Sequence, residues 1–555
     1  MTDRQLNRRF FLKGASGAAV LASGGGALLA ACGSDDKGGA DTPEANTAVK
    51  LPTLVEYTAV KPDLEGSPGG IRAGFFSYPK ERPKAVPEPP GAGNTFKAMA
   101  ILYYPLPPGP DKNKYWQALN KRLNAKLDMV MVPNQEYNTK LATTFASDDL
   151  PDYVMLTRNT GAPQRLPQIL KAKFADLSEH LAGDAIKEYP NLANIPERAW
   201  KSCVYNGGIY GLPVPRDAVG AFPFVRNDII KKAGFTTKPE NFEEFYELVK
   251  AVTDPKKNRY AFAQVSYPID IVRIMQNTPS GWRNDGGKLT AANETDEHKK
   301  ALETAAKFWK EGLIHPDAFA DSIPFKQWFN AGQVVIQPDG YQGWTQYIAD
   351  NVTNPDFDLA LLYVPAYEGG KARIPQGGST FLNGVTALKK ADPERIKEQL
   401  RIADWLAAPF GSEEYFFRLY GEEGTHYTLD KNGDPQLTAV GRSETVIPVR
   451  YITENPSVIY QPGRPQDVKI QHEYESATVP DAIPNPVLGM YSNVEASKGG
   501  QLSQALDDAR DEIIQGRKPL ATWDEAMDAW RKGGGDEIRA EFEEQLQKQG
   551  GPTSK

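Results

Sequence analysis

Three aromatic residues in polar, glycine-broken surroundings are the first side chains whose types suggest chemistry. Trp282 lies in Ser280-Gly-Trp-Arg-Asn-Asp285, and Tyr341 and Trp344 lie in Pro338-Asp-Gly-Tyr-Gln-Gly-Trp-Thr345, just after a strand end. Such rings stack on the C–H faces of sugars, whose hydroxyl rims call for planar polar groups. Arg158 and Asn159 follow one short strand and Tyr104 ends another, while Arg216-Asp217 could donate to and accept from neighbouring hydroxyls at once. Each choice has a structural counterpart. The three rings fit a packed core as well as an open cleft, with Trp344 leaning to the cleft, and Arg216-Asp217 fits a bracing ion pair equally. Trp116, Trp309, Trp328, Trp405 and Trp530 sit on helical stripes and read as core.

Catalytic and metal signatures are missing. There is no G-x-S-x-G elbow and no His-Glu-x-x-His, and His180, His298, His315, His426 and His472 lie far apart in sequence. No phosphate-cradling G-x-x-x-x-G-K-[ST] loop occurs, so the chain is expected to need no cofactor or metal. Asp430-Lys-Asn-Gly-Asp434 has part of a calcium loop's spacing but lacks the downstream acid, and reads as a hairpin turn. Asp148, Asp149 and Asp152 read as turn and cap residues. Paired acids of a glycoside hydrolase cannot be picked out among 71 acidic residues, so a surface-anchored carbohydrate-active enzyme, hydrolase or lyase, stays as the alternative.

The elements that must position these residues alternate. Strands are expected at 96–104, 127–132 and 153–156, with helices at 113–126 and 136–146 between them. This β-α-β-α-β order implies a parallel doubly wound sheet with its functional edge at the strand C-termini, which carry Tyr104, Asn134 and Arg158-Asn159. A second α/β region starts at Phe222, with a helix capped at Asn241 and buried strands at 333–337 and 359–364. The tail is helical from Thr522, with glycines from Gly533 as a stop and Ile538, Phe542 and Leu546 striping a last helix.

The N-terminus reads as an address. Asn7-Arg8-Arg9-Phe10-Phe11-Leu12-Lys13 resembles a twin-arginine (Tat) export signal, and Leu29-Ala30-Ala31-Cys32 resembles a lipobox. Cleavage before Cys32, removing 1–31, would leave a diacylated (palmitate-type) membrane anchor. It also removes four basic and one acidic residue, moving the formal charge from −7 to −10, which argues against nucleic acid as a partner. Residues 32–94 carry nine prolines and read as a flexible tether, although apolar residues between Leu51 and Tyr78 could dock. Cys203, beside Trp200 and Val204, is then the one other cysteine and reads as a buried thiol.

Several motifs now fall in order. Tyr137 to Leu141 with Ala146-Ser-Asp-Asp-Leu-Pro-Asp152, Tyr205-Asn-Gly-Gly-Ile-Tyr-Gly-Leu-Pro213, Arg226-Asn-Asp228 through Phe235, Phe329-Asn-Ala-Gly-Gln-Val-Val335 and the tail from Trp523 to Gln547 together resemble extracellular solute-binding proteins of bacterial ABC importers, in the long lipoprotein branch associated with oligosaccharide uptake. Val334-Val335 replaces the more usual Ala-Met there. The resemblance implies an α/β, two-lobed periplasmic-binding-protein fold of the maltose-receptor type (type II). Its lobes would be 95–216 with 380–430 and 217–379 with 431–555. It also implies a monomeric, lipid-anchored, extracytoplasmic receptor that is no enzyme, closes on a small solute and delivers it to permease subunits.

Overall fold

Apolar runs too short for helices become strands buried on both faces, as in Tyr153–Leu156, where every residue is buried. In the computed structural model the described residues are 42–549, apart from 148, 158–162, 221, 321–322, 341 and 377–381. All belong to one compact unit, Ala40–Lys555. The chain runs through β1 (Thr95–Leu102), β2 (Lys126–Pro133), β3 (Tyr153–Leu156) and β4 (Leu212–Pro215). It crosses to β5 (Phe222–Arg226), β6 (Tyr260–Phe262), β7 (Val334–Asp339) and β8 (Leu359–Leu361), then returns with β9 (Leu382–Leu388).

The first sheet has the order β2-β1-β3-β9-β4 and the second β8-β5-β7-β6. Each has its own core, so the molecule is a two-lobed α/β protein. In the first sheet β1 is parallel to β2 and β3, and only β9 runs against its neighbours. The C-terminal ends of β1 to β4 therefore share one edge, and the chain leaves for the second lobe from that edge. Gly384 in β9 is required there, since a Cβ would lie 2.6 Å from the Leu156 carbonyl oxygen.

Helices cover the sheets by their apolar stripes. Lys114–Leu123 buries Tyr115, Trp116, Leu119 and Leu123, and Asn113 caps it by accepting from the Trp116 N–H at 2.8 Å. In Phe242–Val252 the Asn241 side chain accepts from the Glu244 N–H while the Glu244 carboxylate accepts from the Glu240 N–H. The tail glycines stop one helix, as expected, and a second begins after them. Gly534, with a non-helical φ of 146°, makes the kink between Thr522–Trp530 and Asp536–Gln549, and a Cβ on Gly535 would overlap the Trp530 ring. The 430–434 stretch is the hairpin turn expected from its residues, between Tyr427–Leu429 and Pro435–Leu437. Cys203 is fully buried.

Two expected boundaries differ. Ile447, Val449, Tyr451 and Ile452 pack into the first lobe's core, so its second segment runs past 430. Tyr474, Val479 and Ala482 pack with Phe222 and Trp344, which puts the following helix in the second lobe. The expected tether also differs, because its described part, 42–94, lies on the domain. Val49, Leu51, Val55 and Val86 pack on the first core, Gly74–Phe75 pairs in parallel with Ile459–Tyr460, and the Phe75 ring sits 4.5 Å from Phe410. Buried rings and a borrowed ladder offset the ordering entropy that proline-rich composition alone could not. Phe75→Ala is expected to cost about 3 kcal/mol in urea unfolding, whereas a free tether would give no change.

Asp404 sits in the first core, 5% exposed, accepting from the Asn191 and Leu192 N–H groups at 2.8 and 3.0 Å. Burial pushes its pKa up to about 7, against the pull of those donors. Between about pH 4 and 7 the unfolded chain loses this proton before the folded one does, so this group makes stability fall as pH rises through that window. In Asp404→Asn that component of the pH profile, followed by melting temperature, should vanish.

Candidate ligand cleft at the lobe crossovers

The shared strand-end edge of the first sheet is where the chain crosses between lobes, at 216–220 and again after Thr453. In the second sheet β5 starts at this crossing, and its antiparallel pairing of Phe222 with Asp339 brings the C-terminal end of β7 to the same place. The two edges thus meet around the crossovers, the position where open α/β sheets hold ligands.

On the first-lobe edge the residues after β1, Tyr103 and Tyr104, are each 48% exposed. The Tyr103 ring lies 5.5 Å from Tyr451, whose 3-10 turn, Pro448–Tyr451, packs beside β1. Arg216 and Arg450 flank the same Tyr451 ring, their guanidinium carbons 5.6 and 5.8 Å from its centroid. Both reach Glu454, Arg216 through Nη1 at 3.5 Å and Arg450 through Nη2 at 2.8 Å, and buried Arg418 reaches it at 3.5 Å. Burial alone would raise the Glu454 pKa, but the three guanidiniums outweigh it and hold the carboxyl below its usual value. Burial likewise works against the Arg450 cation, and Glu454 overcomes it, so Arg450 stays charged. Burial lifts the Tyr451 phenol to about 12, keeping it a neutral donor.

The sequence candidates divide. Tyr104 and Arg216 come together at this edge, with Tyr104 close enough to interact electrostatically with Arg450 and Tyr451. Arg216 and Asp217 do not act as a pair. Arg216 turns to Glu454, while Asp217 accepts from Ser457 Oγ and meets Arg72 Nη1 at 3.3 Å, a brace across the crossover. Trp344 is a correction: it is fully buried, its indole N–H donating to Asp467 at 2.8 Å and its ring meeting Phe224 edge-on, so no face is left for a ligand. The helix that carries it, Gln342–Asp350, packs this ring against Phe224 of β5. Trp282 packs in a cluster with Phe542 and Trp530 and walls a cavity of about 420 Å³ inside the second lobe, together with His298 and Trp523. Arg158, Asn159 and Tyr341, like Arg8, Arg9 and Cys32, lie outside the described residues. Of the five tryptophans read as core, Trp116 and Trp405 are buried and Trp309, Trp328 and Trp530 are half-buried.

Sequence reading missed Tyr103, Arg450, Tyr451 and Glu454. Tyr103 adjoins a residue that was chosen, but 448–454 carries no periodicity, and its place at the cleft follows only from the return of the chain to the first lobe.

The profile described as bacterial extracellular solute-binding protein matches residues 114–417, more than half of the chain. The chain belongs to that family. This solute-binding protein is 26% identical over 471 residues to the lipoprotein LipO of Bacillus subtilis (strain 168), a match covering 81% of this chain and 91% of LipO. It is 25% identical over 468 residues to the polygalacturonan/rhamnogalacturonan-binding protein YtcQ of the same organism, covering 80% and 90%. Among solved structures, the alginate-binding protein AlgQ2, without calcium ion, superposes with a TM-score of 0.59 at 16% identity, over 84% of this solute-binding protein and 100% of AlgQ2. The last match concerns the fold alone.

Proposed function

We propose that this solute-binding protein is a lipid-anchored extracytoplasmic receptor that holds a sugar or oligosaccharide at the crossover cleft, leaves it chemically unchanged, and delivers it to the permease of an ABC importer. The observation that carries the reading is the edge itself: half-exposed tyrosine rings beside guanidiniums, the combination that meets a sugar's faces and rim. The glycan ligand in the name of YtcQ supports a saccharide, and the name of LipO supports the lipid anchor read at Cys32. A ligand that bridges the edges of both lobes binds their closed arrangement more tightly than an open one and shifts the population toward it, and the closed form is what a permease would recognise.

The enzyme alternative needs two acids free to give and take protons. At the described edge Glu454 is held by three arginines and Asp217 by Arg72 and Ser457, so neither is placed as a proton donor. Incubating the full chain, purified in detergent, with a panel of mono- and oligosaccharides tests the reading. One or a few members should raise the melting temperature and be recovered intact by chromatography. Shortened or unsaturated products would establish the enzyme instead.

A further inference from the structure

The charge at the cleft edge is unbalanced. Three guanidiniums share the single carboxylate of Glu454, and among the described residues no second carboxylate forms an ion pair with any of them. The Arg418 side chain is 2% exposed, with Nε and Nη2 lacking partners, so its charge is hidden from solvent and poorly screened. The other two open outward, with the Arg216 and Arg450 side chains 27% and 24% exposed. The surplus positive charge therefore emerges beside the rings of Tyr103, Tyr104 and Tyr451. The chain as a whole carries a formal charge of −7, so this spot runs against the field of the rest of the molecule. A neutral sugar's hydroxyls can accept from these guanidiniums but leave the surplus charge uncompensated. A carboxylate compensates it, because a guanidinium fork meets its two oxygens together and because the buried Arg418 adds attraction without competing for contact.

We propose that the solute is an acidic saccharide, and that Arg450 and Arg216 receive the carboxylate of one uronate residue while the adjoining tyrosines carry its ring. This inference rests on the saccharide-receptor reading above and adds the charge of the ligand and the residues that read it. The carboxylate completes a site in which two negative groups face three positive ones, with Glu454 holding the arginine forks in place.

The test compares a trigalacturonate with its fully methyl-esterified form, which keeps the rings and hydroxyls and masks the charge. Both are titrated into the full chain in detergent at low salt and at raised salt. The acid should bind at least about tenfold more tightly than the ester, and raised salt should narrow the gap. Arg450→Gln should remove most of the gap by weakening binding of the acid far more than that of the ester, and Arg450→Lys, which keeps the charge but loses the fork, should fall between. Arg216→Gln serves as a second variant if Arg450→Gln melts early. Equal binding of acid and ester, a gap that survives both substitutions, or binding of neutral saccharides alone would overturn the proposal and leave the saccharide reading standing. Binding of no saccharide of any charge would instead remove the reading beneath it.

Discussion

Trp344→Ala is expected to destabilise the protein by about 3–5 kcal/mol in urea unfolding, with ligand affinity within about twofold wherever the variant stays folded. The indole is fully buried among Phe224, Tyr347 and Tyr474, in a cluster that also holds the start of the second sheet. Truncation would open a cavity that sheet residues on one side and the Pro465–Thr478 helix on the other are too constrained to fill. It would also leave Asp467, 5% exposed, with one donor fewer. Stability unchanged with affinity lost would place the ring against the ligand after all.

Glu454→Ala is expected to cost about 3–5 kcal/mol, because it leaves three guanidiniums facing one another at the crossover with nothing between them. Arg418 is the reason for the size. The exposed arginines can swing toward water, but a side chain 2% exposed keeps its charge in place. The same group gives a pH signature. Its folded pKa lies below the unfolded value, so its contribution is complete above the unfolded carboxylate range and is lost as pH falls through the folded one. Thermal unfolding from pH 7 down to pH 3 should show this component in the natural chain and lack it in the variant. A variant as stable as the parent would mean that the three arginines are not held by this acid.

Much of the scaffold is legible because burial on both faces leaves a plain mark. Tyr153–Leu156 is legible as an apolar run, and the Asn241 cap is legible from residue type and spacing. The site is less legible. Tyr104 is legible because it ends a strand, and Arg216 because it falls where the resemblance puts the hinge, so topology carries both to the edge. Trp344 follows a strand too, yet the chain turns into a helix at that point and the ring lies on its inner face, a distinction that composition does not encode. Arg450, Tyr451 and Glu454 reach the cleft by a return of the chain from far along the sequence, Glu454 lying 238 positions after Arg216. Docking within the proline-rich 42–94 segment is legible only as an option, from its apolar residues between Leu51 and Tyr78, because its partners, Phe410, Phe416 and Ile459, are remote and its own composition argues for coil.

The central claim is that two lobes close on a saccharide and leave its bonds intact. Small-angle scattering from the compact unit Ala40–Lys555, recorded with and without a saccharide that raises its melting temperature, tests it most directly. The account predicts a smaller radius of gyration with saccharide present, reversed on dialysis with the sugar recovered whole. An identical profile in both states, with binding confirmed in the same sample, would contradict it.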